Sequence, residues 1–131
     1  MIITKEGLNR IVEHARGKAP EVCGLLAGTG GRVSRVYQMT NTEAKPETGY
    51  FMDPQEQLKV MKEIRKQGLE LLGIYHSHPS SAAYPSPRDV EQAFYSEVSY
   101  LIVSLLLKEP EVRVFKIEAG QIREEKIVTS G

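Results

Sequence analysis

An apolar run that ends in two histidines and a proline constrains this chain more than any other stretch. Residues 71–75 are typical of a buried strand, and His76-Ser77-His78-Pro79 follows them directly. Because residues i and i+2 of a strand point to the same face, His76 and His78 should project side by side, with Cα atoms about 6.7 Å apart. Pro79 favours an extended conformation at His78 and then ends the strand. The two imidazoles could therefore meet one ion at the usual ~2.0–2.1 Å zinc–nitrogen distance.

A third donor follows a short loop. Ser86-Pro87 is typical of a helix N-cap followed by proline at the first helical position, which places Asp89 in the first turn. Two imidazoles and one carboxylate make three protein ligands, and a catalytic zinc keeps its fourth position for water. A His-x-His pair also fits two structural histidines bonded in a core, so spacing alone leaves both interpretations open.

These residues resemble the motif of the JAMM (MPN-plus) metallopeptidases: His76-Ser77-His78-Pro79, six residues, Ser86, two residues and Asp89. In that family a glutamate at the start of an early strand completes the motif, and the segment 20–28 (PEVCGLLAG) has Glu21 in the matching place. The likeness covers nearly the whole chain and is closest to the compact bacterial and archaeal members. It implies a metal held by His76, His78 and Asp89. It also implies an MPN (cytidine-deaminase-like) type fold.

The catalytic residues are assigned partly by the residues and partly by the resemblance. A carboxylate held near the metal, but not on it, passes the proton of water to the departing amine in comparable zinc hydrolases. By spacing alone Glu43, Glu47 and Asp53 rival Glu21 for this role, and the resemblance selects Glu21. The resemblance also implies that the Ser86 hydroxyl donates to the oxyanion, while as an N-cap it accepts a backbone N–H.

Two further side chains have less specific interpretations. Cys23 shares a strand face with Glu21 if the alternation begins there, so its thiol could lie near the metal, but a small buried side chain is the favoured interpretation. His14 lies off the apolar stripe of the first helix and is predicted to be a solvated surface residue. Nitrogen and oxygen donors favour zinc as the cofactor, although nickel, cobalt or iron could occupy the same site in vitro.

The element order α-β-β-(β)-α-β-α-β-β-β predicts an α/β fold with a mixed sheet flanked by helices. Helices are expected over residues 1–19 with Thr4 as N-cap, from Asp53-Pro54 to Gly68, and over residues 87–95. In the second helix, Leu58, Met61 and Ile64 are predicted to form the buried stripe. Strands are expected at 21–27, 32–39, 71–78, 100–107, 112–118 and 122–129, with a candidate short strand at 50–52.

Composition bounds the class of protein. A chain of 131 residues predicts one domain over residues 1–131. The 17 basic and 17 acidic side chains balance, so neither nucleic acid nor an anionic membrane is expected as a partner. The longest apolar stretch, 100–107, is far shorter than the ~20 residues that span a bilayer, and no secretory leader pattern opens the chain. A single cysteine fits a reducing interior, and a cytoplasmic location is expected.

The leading hypothesis is a zinc metallopeptidase that hydrolyses amide or isopeptide bonds. The resemblance implies substrates that are ubiquitin-like or sulfur-carrier proteins with C-terminal Gly-Gly tails, and residues 80–83 are a candidate groove wall for such a tail. The alternatives are a metal-free scaffold of the same fold and a zinc peptidase for small peptide or amino-acid conjugates. The protein is expected to be a monomer or a weak homodimer.

Overall fold

The computed structural model describes residues 1–17, 21–43, 45 and 49–131, and within them one mixed sheet of eight strands carries three helices. The helices are α1 (Lys5–Gly17), α2 (Pro54–Lys66) and α3 (Pro87–Glu91). The strands are β1 (Ile2–Thr4), β2 (Cys23–Thr29), β3 (Arg32–Met39), β4 (Glu70–His78), β5 (Ser99–Ser104), β6 (Glu111–Glu118), β7 (Gln121–Glu125) and β8 (Val128–Ser130). The predicted α/β class, a mixed sheet flanked by helices, is confirmed.

The strand order across the sheet is β7-β6-β5-β4-β2-β3-β1-β8, so β4 occupies the interior. It pairs antiparallel with β2 on one side and parallel with β5 on the other. The carboxyl ends of the parallel strands β4 and β5 therefore meet at one edge. Ligands of α/β sheets commonly bind at this edge.

Each face of the sheet carries its own apolar core. Ile11 and Ala15 of α1 pack on one face against residues such as Leu26. Ile64 of α2 and, in part, Val90 of α3 pack on the other face. In β4, Ile74 belongs to the α2 and α3 side and Tyr75 to the α1 side. Because successive side chains of a strand alternate between faces, His76 and His78 follow Ile74 onto the α2 and α3 side.

The first residues of the chain differ from the prediction. Residues 2–4 form strand β1, which pairs parallel with both β3 and β8, whereas a helix was predicted from residue 1. The N-cap prediction is confirmed, because the Thr4 hydroxyl accepts the Gly7 N–H at 3.0 Å and α1 begins at Lys5. The predicted end of this helix at 18–19 lies outside the described residues.

Other helix and strand boundaries also differ from the predicted ones. Residues 122–129 were predicted as one strand but form parts of β7 and β8, which lie at opposite edges of the sheet. Helix α3 ends at Glu91 instead of Tyr95, and the predicted strand at 50–52 is only a single bridge between Met52 and Asn41. The buried stripe of α2 is centred on Ile64, whereas Leu58 is 57% exposed. Among the described helices, none is long and apolar enough to cross a membrane.

Candidate metal centre

Strand β4 presents the two predicted histidines on the same face. His76 lies opposite Cys23 in the register with β2, and His76 and His78 lie opposite Ile102 and Ser104 in the register with β5. Both imidazoles are almost fully buried, with 1% of His76 and 4% of His78 exposed. The predicted geometry therefore holds, with the two Nε2 atoms 3.1 Å apart.

Helix α3 brings the carboxylate to the pair. Ser86 is the N-cap of this five-residue helix, and its hydroxyl accepts the Asp89 N–H at 3.1 Å. The Asp89 Oδ2 atom accepts the Ser86 N–H at 2.9 Å in return, which completes a capping box. The same oxygen lies 3.1 Å from His76 Nε2 and 3.0 Å from His78 Nε2. The cap thus fixes the rotamer that points Asp89 at the histidines.

The donor set fits a zinc ion. The group of three candidate ligand atoms found among the described residues belongs to His76, His78 and Asp89, and all three residues are buried. Their mutual separations of 3.0–3.1 Å compare with about 3.3 Å between ligands of a tetrahedral zinc site with ~2.0–2.1 Å bonds. Three nitrogen and oxygen donors leave one tetrahedral position open, which is the arrangement of catalytic sites.

The hydrogen bond that His78 makes on its other side fixes which nitrogen faces the site. His78 Nδ1 lies 2.8 Å from the Ala82 carbonyl, which can only accept, so the Nδ1 atom carries a proton. In the neutral ring, the Nε2 lone pair then faces the Asp89 oxygen, and two acceptors meet unless a cation or a proton lies between them. Outer hydrogen bonds of this kind orient histidine ligands in metal sites.

Electrostatics at the site reflect this crowding of acceptors. Burial by itself would raise the pKa of Asp89, but hydrogen bonds from His76 and His78 hold that pKa well below its usual range. Burial lowers the pKa of His78, and this effect is outweighed by its hydrogen bonds to Asp89 and Ala82, which leave the pKa raised. The two shifts share one cause, the contact between the Asp89 carboxylate and the His78 imidazole.

Glu21 lies at the start of the neighbouring chain segment, two residues before β2. It is 9% exposed, and its Oε1 atom is buried without a hydrogen-bond partner among the described residues. Burial raises the pKa of Glu21 to about 7, and the charges of His78, Asp89 and Arg88 also act on it. Glu21 is not part of the group of converging ligand atoms. It is therefore a carboxylate near the metal donors but not among them.

The rival carboxylates have other partners. Glu43 forms an ion pair with Arg88. Asp53 caps α2 by accepting the Gln55 N–H at 3.0 Å. Glu47 lies outside the described residues. Of the described rivals, neither belongs to the group of converging ligand atoms.

The less specific interpretations have different outcomes. Cys23 is fully buried next to the His76 backbone, burial raises its pKa to about 12, and its thiol does not belong to the donor group. The interpretation as a small buried side chain fits these facts, since the metal ligand is the thiolate.

His14 was predicted to be solvated but is half-buried, with Nδ1 2.7 Å from the Tyr75 hydroxyl. Tyr75 projects towards α1, which the sequence of α1 by itself could not indicate.

Three residues near the site were missed by the sequence analysis. The Tyr50 ring stacks on His76 with centroids 4.6 Å apart and an interplanar angle of 26°. The Asn41 side chain donates to the Glu21 carbonyl at 3.1 Å. The Ser77 hydroxyl, fully buried, accepts the Val22 N–H at 3.0 Å. Ser77 carried a local signal, as the residue between the two histidines. Asn41 comes from a segment predicted to be loop, and Tyr50 from the candidate short strand at 50–52.

Two buried histidines and a carboxylate at the carboxyl end of an interior strand, with a second acid beside them, define the site of a metal-dependent hydrolase. The model of the family described as prokaryotic homologs of the JAB domain matches residues 4–118. The chain belongs to that family, the compact prokaryotic branch of the JAMM/MPN-plus metallopeptidases, and is a peptidase.

Proteins named as peptidases are similar to this chain over most of its length. The CysO-cysteine peptidase of Mycobacterium tuberculosis is 38% identical over 133 residues, which cover 97% of this chain and 89% of that protein. The probable TtuB-protein conjugate cleaving protease of Thermus thermophilus is 41% identical over 109 residues, with 82% of this chain and 70% of that protein covered.

Solved structures agree with the fold. A Desulfitobacterium hafniense protein solved in solution is 41% identical and superimposes with a TM-score of 0.88, covering 99% of this chain and 93% of that chain. A JAB1/MPN domain protein from Archaeoglobus fulgidus has 21% identity and a TM-score of 0.65, covering 98% and 99% of the two chains, and this likeness concerns the fold alone.

Proposed function

We propose that this chain is a zinc-dependent peptidase that cleaves the amide or isopeptide bond at the C-terminal tail of a ubiquitin-like or sulfur-carrier protein. The observation that carries the proposal is the convergence of His76, His78 and Asp89 next to the buried Glu21 carboxylate. The names of the relatives support the substrate class, because one acts on a CysO–cysteine bond and the other on TtuB–protein conjugates.

His76, His78 and Asp89 hold the metal in this proposal. When bound, zinc supplies Lewis-acid activation of water near neutral pH. The water oxygen attacks the scissile carbonyl carbon, and Glu21 accepts the proton that the water loses. As the carbon–nitrogen bond breaks, Glu21 returns that proton to the departing amine. The products are a C-terminal carboxylate and a free amine.

Ser86 stabilises the charge that develops on the carbonyl oxygen. Its hydroxyl oxygen already accepts the Asp89 N–H, and a hydroxyl has one proton left to donate. Donors placed at a developing oxyanion contribute about 10²–10³ in rate. In this proposal Ser86 therefore caps α3 and stabilises the oxyanion at the same time.

An apolar pocket beside the centre supports a substrate larger than a metal ion or a water molecule. It is lined by Tyr50, which also stacks on His76, and by Phe51 and Phe94. Phe94 is 78% exposed and Phe51 is 49% exposed, and clustered exposed apolar side chains mark interaction sites. The proposal includes one domain over residues 1–131, a cytoplasmic setting, and a monomer or weak homodimer.

The test combines metal analysis with hydrolysis. Purified protein is assayed by elemental analysis and incubated with a carrier protein whose Gly-Gly tail is linked to cysteine or to a lysine side chain, and with short peptides. We expect about one zinc per chain and chelator-sensitive release of the amine. Glu21→Gln should keep the metal and lose activity, whereas Asp89→Asn should lose both. Cleavage of short peptides alone would overturn the carrier substrate, and full activity of Glu21→Gln would overturn the mechanism.

A further inference from the structure

The peptide group between Glu21 and Val22 is held from both sides. Its carbonyl accepts from Asn41 Nδ2 at 3.1 Å, and its N–H donates to the Ser77 hydroxyl at 3.0 Å. On the next peptide, the Val22 carbonyl accepts the Ser77 N–H at 3.0 Å. Because a peptide group is planar and rigid, holding it in place restricts the ψ angle of Glu21. This is one of the two backbone dihedrals that set the direction of the Glu21 side chain.

The Asn41 side chain uses its full hydrogen-bonding capacity. Nδ2 donates to the carbonyls of Glu21 and Gly49, and Oδ1 accepts the N–H groups of Glu43 and Phe51, at distances of 3.0–3.2 Å. An amide has two donor hydrogens and two acceptor lone pairs, so all four are satisfied. The opposite orientation of the amide would set donor against donor and acceptor against acceptor, which fixes its assignment.

Asn41 thereby connects Glu21 with the residues on both sides of Tyr50. Gly49 and Phe51 flank Tyr50, whose ring lies on the imidazole of His76. Thr42 adds to the same segment through bonds to the Phe51 carbonyl at 2.7 and 2.8 Å, but these bonds do not reach the Glu21 peptide. Asn41 is thus the side chain that ties the proton acceptor to the segment packed on the metal donors.

We propose that Asn41 is the positioning residue for Glu21: its amide holds the Glu21 peptide in the orientation that keeps the carboxylate beside His78 and Asp89. This rests on the role of Glu21 in the proposed function. In the described part of the chain, the Asn41 side chain bonds to Glu21, Gly49, Glu43 and Phe51 and to none of the three metal donors. Its loss should therefore affect proton transfer while the donors keep their places on β4 and α3.

The test uses Asn41→Asp, which has nearly the same shape. The aspartate keeps an acceptor for Glu43 and Phe51 but turns an oxygen towards the carbonyls of Glu21 and Gly49. We expect kcat on a carrier–peptide conjugate to fall at least tenfold, with KM within threefold and zinc content within twofold of wild type. Thr42→Val, which removes the neighbouring hydroxyl, should leave all three within twofold.

Hydrogen exchange supplies a readout that does not depend on turnover. In Asn41→Asp the Val22 N–H should exchange at least tenfold faster, with Leu25 in the centre of β2 as an unchanged reference. Thr42→Val should leave Val22 exchange within twofold. Unchanged exchange at Val22, or equal acceleration at Leu25, would overturn the anchoring role.

The kinetic outcomes are also decisive. Three results would each overturn the proposal: a kcat within twofold of wild type, a rise in KM alone, or a loss of zinc. None of them fits an effect of Asn41 that acts through the position of Glu21. If wild type cleaves no conjugate, the proposed function fails, and exchange at Val22 alone then decides whether Asn41 holds the Glu21 peptide.

Discussion

At the scale of single residues, the site depends on carboxylates in contrasting surroundings. Asp89 accepts hydrogen bonds from two imidazoles and its own helix, which lower its pKa. Within the described part of the chain Glu21 has no such partner at Oε1, and burial raises its pKa to about 7. Pairs of acids whose pKa values are pushed apart commonly divide the roles of charge stabiliser and proton carrier. This division is the residue-level reason for assigning Asp89 to the metal and Glu21 to the proton.

The raised pKa of Glu21 predicts a pH effect on the metal-free protein. Between pH 4.5, the value of the unperturbed carboxyl, and about 7, the folded protein keeps a proton that the unfolded chain has released. Stability therefore falls as pH rises through this window. Glu21→Gln should remove that part of the fall. The difference in the free energy of unfolding between the variant and wild type should therefore shift in favour of the variant from pH 4.5 to pH 8.

Denaturant unfolding in the presence of a chelator at several pH values measures this difference. The raised pKa of His78 also makes stability fall with rising pH. Because the charge of Glu21 is the last of the causes that raise this pKa, Glu21→Gln also removes a part of the His78 contribution, which acts in the same direction. Glu13→Gln on the exposed side of α1 is the control and should follow wild type. Parallel curves for wild type and Glu21→Gln would contradict the burial effect.

The double role of Ser86 gives a second prediction. Ser86→Ala should lower turnover by about 10²–10³ through the lost oxyanion donor. It should also lower the free energy of unfolding by about 0.5–2 kcal/mol through the lost cap of α3. Steady-state kinetics and denaturant unfolding measure the two effects separately.

Asp53→Ala is the matched control, because Asp53 is the N-cap of α2. It should lose a similar amount of stability and keep its turnover. A Ser86→Ala variant that loses stability but keeps normal turnover would reduce Ser86 to a capping residue.

At the scale of elements, the closeness of β2 and β4 depends on a residue without a side chain. A Cβ atom at Gly24 would lie 2.1 Å from the Tyr75 ring and 2.5 Å from the Tyr37 carbonyl. Gly24 is directly opposite Tyr75 in the register that also places Cys23 opposite His76. The tyrosine ring can lie over this position only because glycine occupies it.

Gly24→Ala should therefore destabilise the protein by about 1–3 kcal/mol, since the Tyr75 ring must move in a filled core. Gly17→Ala is the control, because a Cβ there has no neighbour within 4 Å among the residues that the structure describes, and alanine favours the helix. Its stability should be equal to wild type or slightly higher. Thermal unfolding compares the two, and equal Tm values for Gly24→Ala and wild type would contradict the packing argument.

At the scale of the whole molecule, the proposed metal would join a strand to the helix that follows it. His76 and His78 lie at the end of strand β4, and Asp89 lies in the first turn of helix α3 after the intervening loop. A ligand bound only by the folded state stabilises it, by about 2.7 kcal/mol at a concentration of 100 Kd. Metal binding and global stability are therefore linked.

We expect zinc to raise the Tm of the metal-free protein by several degrees, and a chelator to reverse the rise. Asp89→Asn should lose most of this response, because one of three donors is replaced by a weaker one. Calorimetric scans with and without zinc measure the shift. An equal shift in wild type and Asp89→Asn would place the bound metal elsewhere.

The sequence by itself determined those parts of the protein that depend on neighbours in the chain. Alternation along a strand places two histidines on one face, and the Ser86-Pro87 cap places Asp89 in the first turn of a helix. Both are local backbone properties, so they could be predicted before any fold was known. The caps at Thr4 and Asp53 were predicted for the same reason.

Only the tertiary structure decided how distant segments meet. Strand β1 exists because β3 and β8 pair with it, and its three residues are too few to show the alternation that identifies a strand in a sequence. Leu58 is exposed because it lies about 120° around α2 from Ile64, and packing selects one side of the stripe. The Asn41 contact with Glu21 spans 20 residues. Such contacts form only when the strands assemble into the sheet, and no local sequence pattern encodes that assembly.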